Sequence, residues 1–401
     1  MNVLIVTDTF SPDINGVART LETLARGLAA RGNKVEVITT TDGAQMENVL
    51  HGVAVRRVRC LSLPGYREVR AGLVGARWFR QLMEFSRPDV IYVAVETLMG
   101  LNAIRAARTY GVPVVSGFHT NFHSYADNYH LPFMKPLAAR FMRYFHNRTS
   151  RTLTPSHSTA AQLREIGVNN VGVLGRGVRT DLFKPAKRDA TLRAQWGVTD
   201  DAPVALFVGR MAAEKNLPLA VKVMQRLVES TPGSRGVFVG NGPKVDWLKR
   251  NYPQFIHAGA RTGEDLARHY ASGDVFLFPS TTETYGNVLP EALASGLVTV
   301  SYDYAAAHEL IQHGHNGFTA QYRDEAAFFS SADAAFARWN DTGLRAAARE
   351  AVNGLSWDSI IAQFELELMS ASREFVGVQS SACSRCLVPS RHSRHVTPAS
   401  P

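Results

Sequence analysis

The stretch Ala202-Pro-Val-Ala-Leu-Phe-Val-Gly-Arg-Met-Ala-Ala-Glu-Lys215 reads as one unit of a parallel sheet. Ala202–Val208 is a short apolar run, so a buried strand is expected there. Gly209 lets the chain turn directly behind it, and Arg210 and Lys215 flank that turn. An amphipathic helix is expected over Pro218–Glu229. In an open parallel sheet, ligands bind beyond the carboxyl ends of the strands. Two cations at such an end suit a diphosphate, because arginine forks onto phosphate oxygens and lysine acts as a point charge.

The rest of the second half repeats the alternation. Strands are expected at Arg235–Val239, Phe255–His257, Val275–Phe278 and Val298–Ser301, with helices at Gly263–Ser272 and Asn287–Ser295. Asn241 and Gly242 follow one of these strands in Gly240-Asn-Gly-Pro243, which is either a second close-approach turn or a plain one. The block Glu283-Thr-Tyr-Gly-Asn-Val-Leu-Pro-Glu291 sets two carboxylates across a turn that opens a helix. Thr284, Tyr285, Gly286 and Asn287 would turn backbone N–H groups toward an anion. Glu283 and Glu291 would accept hydrogen bonds from hydroxyls; a general acid and base, or a helix cap with an exposed acid, are the other readings of the pair. Together these residues describe a pocket for a doubly charged phosphate ester that carries a polyhydroxylated group.

The first half alternates in the same way, with expected strands at Val3–Val6, Val35–Thr39, Val53–Val58, Asp89–Val95, Val112–Ser116 and Thr152–Pro155. The fold class expected is therefore α/β, with two doubly wound domains: residues 1–180, then 190–355. Gly177-Val-Arg-Thr-Asp-Leu-Phe-Lys-Pro185 has turn residues without periodicity and reads as the linker. A last amphipathic helix is expected at Ser356–Arg373, within a segment 356–375. The Ser-, Arg-, His- and Pro-rich tail 377–401 is expected to be disordered. Its Cys383-Ser-Arg-Cys386, even with His392 and His395, is a weak zinc signal. Gly16 lies between the first strand and first helix, where a backbone can approach an anion, and His119 follows the strand Val112–Ser116.

The net charge of +9 is uneven: residues 1–180 carry 22 Lys and Arg against 12 Asp and Glu, and residues 181–401 carry 22 against 23. In the region Tyr66–Phe85, Arg67, Arg70, Arg77 and Arg80 (with Leu73, Trp78, Phe79 and Leu82), and in Leu131–Arg151, Lys135, Arg140 and Arg143 (with Phe133, Met134, Phe141, Met142, Tyr144 and Phe145), are interleaved with apolar residues. That pattern, in the basic half, suggests helices on an anionic membrane surface or beside an acceptor; an ordinary amphipathic helix has the same pattern. No apolar run approaches the ~20 residues of a membrane span. No secretory signal is read at the N-terminus, and three cysteines do not make a disulfide framework. A cytoplasmic protein, peripheral at the inner membrane face, is the expectation.

The Glu283–Glu291 block, the Gly209-Arg-x-x-x-Glu-Lys215 block, the Asn15-Gly-Val17 loop and the linker motif occur in the order that resembles the retaining glycosyltransferases of family four, the group 1 enzymes with the GT-B fold. The resemblance covers roughly residues 1–375, and the opening Thr7-Asp-Thr-Phe-Ser-Pro-Asp-Ile-Asn-Gly-Val17 looks most like bacterial glycolipid mannosyl- and hexosyltransferases. It implies two Rossmann-like domains facing across a deep cleft, with the last helix crossing back to the first. Arg210 and Lys215 would bind the donor diphosphate, Glu291 the ribose and Glu283 the transferred sugar. Gly16 would approach the diphosphate from the opposite domain, and His119 would sit beside sugar and acceptor. The implied reaction is metal-independent hexosyl transfer with retention. GDP-mannose is the first donor expected and a UDP-hexose the second; the acceptor would be a lipid or saccharide, with no cofactor and no nucleic acid. Asn241 stands where the family more often has Asp, and Ser301-Tyr-Asp-Tyr-Ala-Ala-Ala-His-Glu309 replaces a Gly-rich loop near the sugar. The rival readings are another GT-B enzyme, an epimerase or phosphorylase, and a non-catalytic nucleotide- or polyanion-binding module. A dinucleotide fingerprint and a P-loop are both missing from the sequence.

Overall fold

In the computed structural model each half of the chain builds its own sheet, flanked by helices. The structure describes residues 1–13, 15–41, 43, 46–63, 66–119, 135–198 and 201–385. In the first half, β1 (Asn2–Val6) pairs in parallel with β2 (Lys34–Thr41) and β6 (Val90–Val93). Beyond β2 lies β4 (Val53–Leu63); beyond β6 follow β7 (Val114–Gly117), β8 (Arg151–Thr154) and β9 (Val171–Val173), all parallel. The strands β3 (Met46–Leu50) and β5 (Tyr66–Gly72) run antiparallel to β4.

The second sheet is parallel throughout, with β10 (Val204–Val208) between β11 (Arg235–Val239) and β13 (Val275–Phe278). β12 (Ile256–Gly259) lies outside β11, and β14 (Val298–Tyr302) and β15 (Phe318–Ala320) lie outside β13. In both sheets the order runs outward from the first strand and then reverses, which is the doubly wound pattern.

Alternation along each strand explains the layers. Val3 and Ile5 pack with Leu21, Leu24 and Leu28 of the helix Gly16–Ala30, whereas Leu4 and Val6 pack on the other face with Phe79, Met99 and Ile104. In β10, Val204, Leu206 and Val208 enter one core cluster and Ala205 and Phe207 the other. The helix Gly16–Ala30 starts where Asn15 Oδ1 accepts from Ala18 N at 2.8 Å.

Two segments cross between the halves and are fastened to each other. Val178 N donates to Leu355 O at 2.8 Å, and Gly177 lies so close to Trp357 that an added Cβ would meet its ring at 2.6 Å. The helix Trp357–Arg385 then lies on the first domain through Ile360, Ile361, Phe364 and Leu368. Glu365 accepts from Arg31 and Asn33, each at 2.6 Å, and Glu367 pairs with Arg151 at 2.6 Å.

Two expectations are corrected. The helix runs on to Arg385, into the segment expected to be disordered. The first proline after its start is Pro389, and the single Gly377 costs about 1 kcal/mol without ending a helix. Cys386, His392 and His395 lie outside the described residues. Residues Tyr66–Gly72 are a strand rather than part of a surface helix, because they pair antiparallel with β4.

Candidate active site

The strand order reverses between β1 and β6 in one sheet and between β10 and β13 in the other. The loops beyond these strands carry most of the residues singled out above, and the two crevices face each other. A Cβ on Gly16 would meet Asn287 Nδ2 at 3.6 Å. Thr284 Oγ1 donates to His119 O at 3.1 Å, and Thr159 Oγ1 donates to Thr284 O at 3.2 Å. His157 N donates to Glu309 Oε1 at 2.5 Å. The segment 284–287 therefore lines a cleft between the domains.

Behind β10, Gly209 has φ 153, a conformation that favours glycine, and Arg210 is exposed at the turn. Lys215 closes the short turn Ala213–Lys215, and its Nζ is ion-paired with Glu283 Oε1. The same carboxylate oxygen accepts from Ser280 Oγ at 2.8 Å. Glu214 O accepts from Thr281 N at 2.9 Å, so the loops behind β10 and β13 are tied together. Lys215 and Glu283 thus reach the site as a half-buried pair, an arrangement a diphosphate and a sugar hydroxyl would share.

Asn241 and Gly242 lie against this loop. Met211 N donates to Asn241 O at 2.8 Å, and a Cβ on Gly242 would stand 2.6 Å from Met211 O. The glycine here serves the approach of two backbones. Asn241 Oδ1 accepts from Gly242 N at 2.8 Å within its own turn.

Glu291 lies in the first turn of the helix Val288–Ala294. Tyr270 donates its hydroxyl to Glu291 Oε2 at 3.0 Å. Burial pushes the Glu291 carboxyl up to about 7, against the downward pull of the Tyr270 hydroxyl and of Arg19 from the opposite domain. Tyr285 is buried, and Gly286 turns the chain with φ 93. The loop 301–309 joins the same wall. Tyr304 donates to Ser280 O at 2.9 Å, and Ala306 N donates to Tyr285 O at 3.1 Å. Between them Ala305 adopts φ 51 and ψ −131, a conformation rarely taken by a residue with a side chain.

His119 is buried at the end of the strand β7, with Tyr92 and Arg176 on its two ring nitrogens. Tyr92, Arg176, Tyr270 and Thr159 were not singled out in the sequence, whereas Tyr304 lies inside the Ser301–Glu309 stretch that was. The one local signal was Arg176, a lone arginine between two glycines behind a strand.

The basic segments are placed differently from the expectation. On the helix Ala76–Phe85, Arg77 and Arg80 are exposed, but Phe79, Leu82 and Met83 are buried. On the helix Lys135–His146, Arg140 and Arg143 are exposed, while Met142 and Phe145 are buried. Both apolar faces are consumed by the core, because each helix must cover a face of the sheet. On these two helices the large apolar residues left outside are Phe85 at 90% exposure, Leu137 at 65% and Tyr144 at 38%. Phe133, Met134 and the Lys135 side chain lie outside the described residues. Among the described residues, no helix is long and apolar enough to cross a membrane, and no group of His, Cys, Asp or Glu could hold a metal ion.

Comparison with known proteins agrees with this geometry. Residues 14–182 match the model of Glycosyltransferase Family 4, and residues 202–337 that of Glycosyl transferases group 1. A GDP-mannose-dependent alpha-mannosyltransferase of Mycobacterium tuberculosis is 33% identical over 320 residues, covering 79% of this chain and 83% of that protein. A protein of the same description from Corynebacterium glutamicum is 30% identical over 376 residues, covering 90% and 87%. Among solved structures, Anabaena HepE in complex with UDP and glucose has a TM-score of 0.70 at 20% identity, covering 92% of this chain and 100% of that one. Sucrose-phosphate synthase from Thermosynechococcus elongatus has a TM-score of 0.72 at 19% identity, covering 92% and 98%. The expected GT-B arrangement of two Rossmann-like domains is the fold found.

Proposed function

This chain belongs to glycosyltransferase family 4 and is a glycosyltransferase, and on that premise we propose that it moves a hexose from a nucleoside-diphosphate sugar to a lipid or saccharide acceptor, with retention and without a metal. Mannose carried on GDP is the first donor proposed, since the relatives at 33% and 30% identity are described as GDP-mannose-dependent. The observation that carries the reading is the Lys215–Glu283 pair, held by Ser280 at the strand-order reversal, next to Thr284, which bonds to His119 of the first domain.

In this proposal Arg210 and Lys215 neutralise the diphosphate as its bond to the sugar breaks, and fixed positive charge in a cleft is worth more than in water. Glu291 accepts the ribose hydroxyls. Glu283 accepts a hexose hydroxyl while remaining paired with Lys215. Asn241, Gly242, Thr284, Tyr285, Gly286 and Asn287 complete the donor wall, and Gly16 closes it from the first domain. The acceptor oxygen attacks on the face the diphosphate leaves, and its proton passes to the departing diphosphate oxygen. The excess of basic residues in 1–180, with Arg77, Arg80, Arg140 and Arg143 exposed, supports an anionic membrane surface as the place where a lipid acceptor is met.

Calorimetric titration of GDP, UDP and ADP in EDTA, followed by transfer from GDP-mannose to lipids in anionic vesicles, tests the reading. Binding of GDP alone, with transfer that survives EDTA, is expected. Binding of UDP instead would move the donor to a UDP-hexose. Binding of none would overturn the donor site.

A further inference from the structure

His119 has no free ring nitrogen. Its Nδ1 lies 2.7 Å from Arg176 Nη2, and its Nε2 lies 2.8 Å from the Tyr92 hydroxyl. A guanidinium offers donors only, so Nδ1 is the accepting, unprotonated nitrogen. Nε2 then carries the hydrogen and donates it to the Tyr92 oxygen. The surroundings are built to hold this arrangement. Arg176 is 5% exposed, and its Nη1 donates to Leu174 O at 3.2 Å and Gly175 O at 3.3 Å. A Cβ on Gly117 would run into the Tyr92 hydroxyl and stand 2.6 Å from His119 Nε2, so only glycine admits the contact. The Tyr92 ring meets Phe364 of the C-terminal helix edge-on at 4.8 Å.

The ionisable groups acting on Arg176 are phenols, Tyr92 and Tyr285, and the guanidinium is thus a buried cation held by carbonyls and an imidazole. Burying such a charge without a carboxylate costs several kcal/mol by general expectation, so its position calls for a purpose. Burial, and then the Arg176 charge, hold the His119 imidazole well below its ordinary ionisation range.

We propose that Arg176 is a positioning residue for His119: it locks the buried imidazole in one tautomer, with its hydrogen on Nε2, so that the ring takes no part in proton transfer and the His119 carbonyl is what faces the cleft. That carbonyl accepts from Thr284 Oγ1 at 3.1 Å across the domains. The groups facing the ring are Arg176 behind β9, Tyr92 in β6 and, through Arg176, Tyr285 of the second domain. Only the catalytic consequence rests on the transferase reading; the state of the ring does not.

Ring nitrogen NMR of the full chain labelled with [15N]histidine, with His119→Asn identifying the signal, tests the proposal. In the parent protein His119 is expected to show an unprotonated Nδ1 and a protonated Nε2, unchanged from about pH 8 to about pH 5. In Arg176→Met, with the donor to Nδ1 gone, the ring is expected to lose that single tautomer and place its hydrogen on Nδ1 as well as Nε2, whereas Arg176→Lys keeps it on Nε2. With Arg176→Met, kcat should fall roughly tenfold to a hundredfold, while the donor KM moves little. A parent His119 that titrates in the window, or that carries its hydrogen on Nδ1, overturns the proposal even if the variant does not fold. So does a folded Arg176→Met whose His119 still carries its hydrogen on Nε2 alone. A parent protein with the expected ring state but no hexosyl transfer would sink the proposed reaction and leave this lock standing.

Discussion

The Tyr270 hydroxyl donates to Glu291 Oε2 at 3.0 Å, joining the helix Gly263–Ser272 to the first turn of the helix Val288–Ala294. Tyr270 is fully buried, and burial raises its own ionisation well above the usual range, so the phenol is a permanent donor to this carboxylate. The bond aims Glu291 and fixes which of its oxygens remains for a ligand.

Glu291 gives the pH dependence. Its folded ionisation is raised to about 7 from an ordinary 4.5, so the folded state binds the proton more tightly than the unfolded one. The stability this contributes is fully present below pH 4.5 and is lost as pH rises through about 7. Glu291→Gln should therefore melt higher than the parent at pH 8 by an amount worth roughly 1–2 kcal/mol, with no gain at pH 4, as thermal denaturation will read. Donor binding runs the other way: the donor KM of the parent should rise as pH falls through about 7, and Glu291→Gln should abolish that trend.

Tyr270→Phe removes only the hydroxyl that draws the Glu291 carboxyl down. The midpoint of the donor KM profile should move to higher pH. At pH 7 the donor KM should rise about tenfold, the worth of one hydrogen bond to a charged group near ~1.5 kcal/mol.

Lys215→Ala leaves Glu283 half-buried without its cation, and Glu283→Ala does the reverse. Each should lower kcat/KM roughly tenfold to a hundredfold, about 1.5–3 kcal/mol. The double variant should cost clearly less than the product of the two, because the pair shares one interaction. Fully additive effects in steady-state kinetics would remove the pair from the site.

Thr284→Val keeps shape and deletes the bond to His119 O. The loss of about 0.5–1.5 kcal/mol favours an open cleft and should lower kcat/KM two- to tenfold. X-ray scattering of the ligand-free variant should show a larger radius of gyration than the parent.

Gly177→Ala drives a methyl into the Trp357 ring, where the two crossing segments meet. Overpacking of this kind costs about 1–3 kcal/mol. The melting temperature should fall by several degrees, about 2–4 °C per kcal/mol for domains of this size, as calorimetry will read.

Much of this protein was legible from the sequence, and the legible parts share a cause. Val3–Val6, Val204–Val208 and Val275–Phe278 announce themselves because a strand buried on both faces needs an unbroken apolar run. Arg210, Lys215, Glu283 and Glu291 could be placed at strand ends because turn and helix-start chemistry is local. That each half forms a doubly wound sheet followed from the alternation of strands and helices, while the order of the strands and the antiparallel β3 and β5 came from the structure.

Contacts between residues far apart were decided only by the tertiary structure. Periodicity shows that the helix Ala76–Phe85 is amphipathic, but not that Phe79, Leu82 and Met83 spend the apolar face on the core. Composition set the tail as disordered from residue 377, yet the helix continues to Arg385. Arg176 and His119 lie 57 positions apart, and no local pattern joins them. The sequence by itself determined the two doubly wound halves and the loops that carry the chemistry, since these depend on short-range sterics and burial. The tertiary structure decided which charges are paired, what surrounds the His119 ring and which apolar faces the core consumes. A buried group's state depends on whatever packing brings against it, and packing is a property of the whole chain.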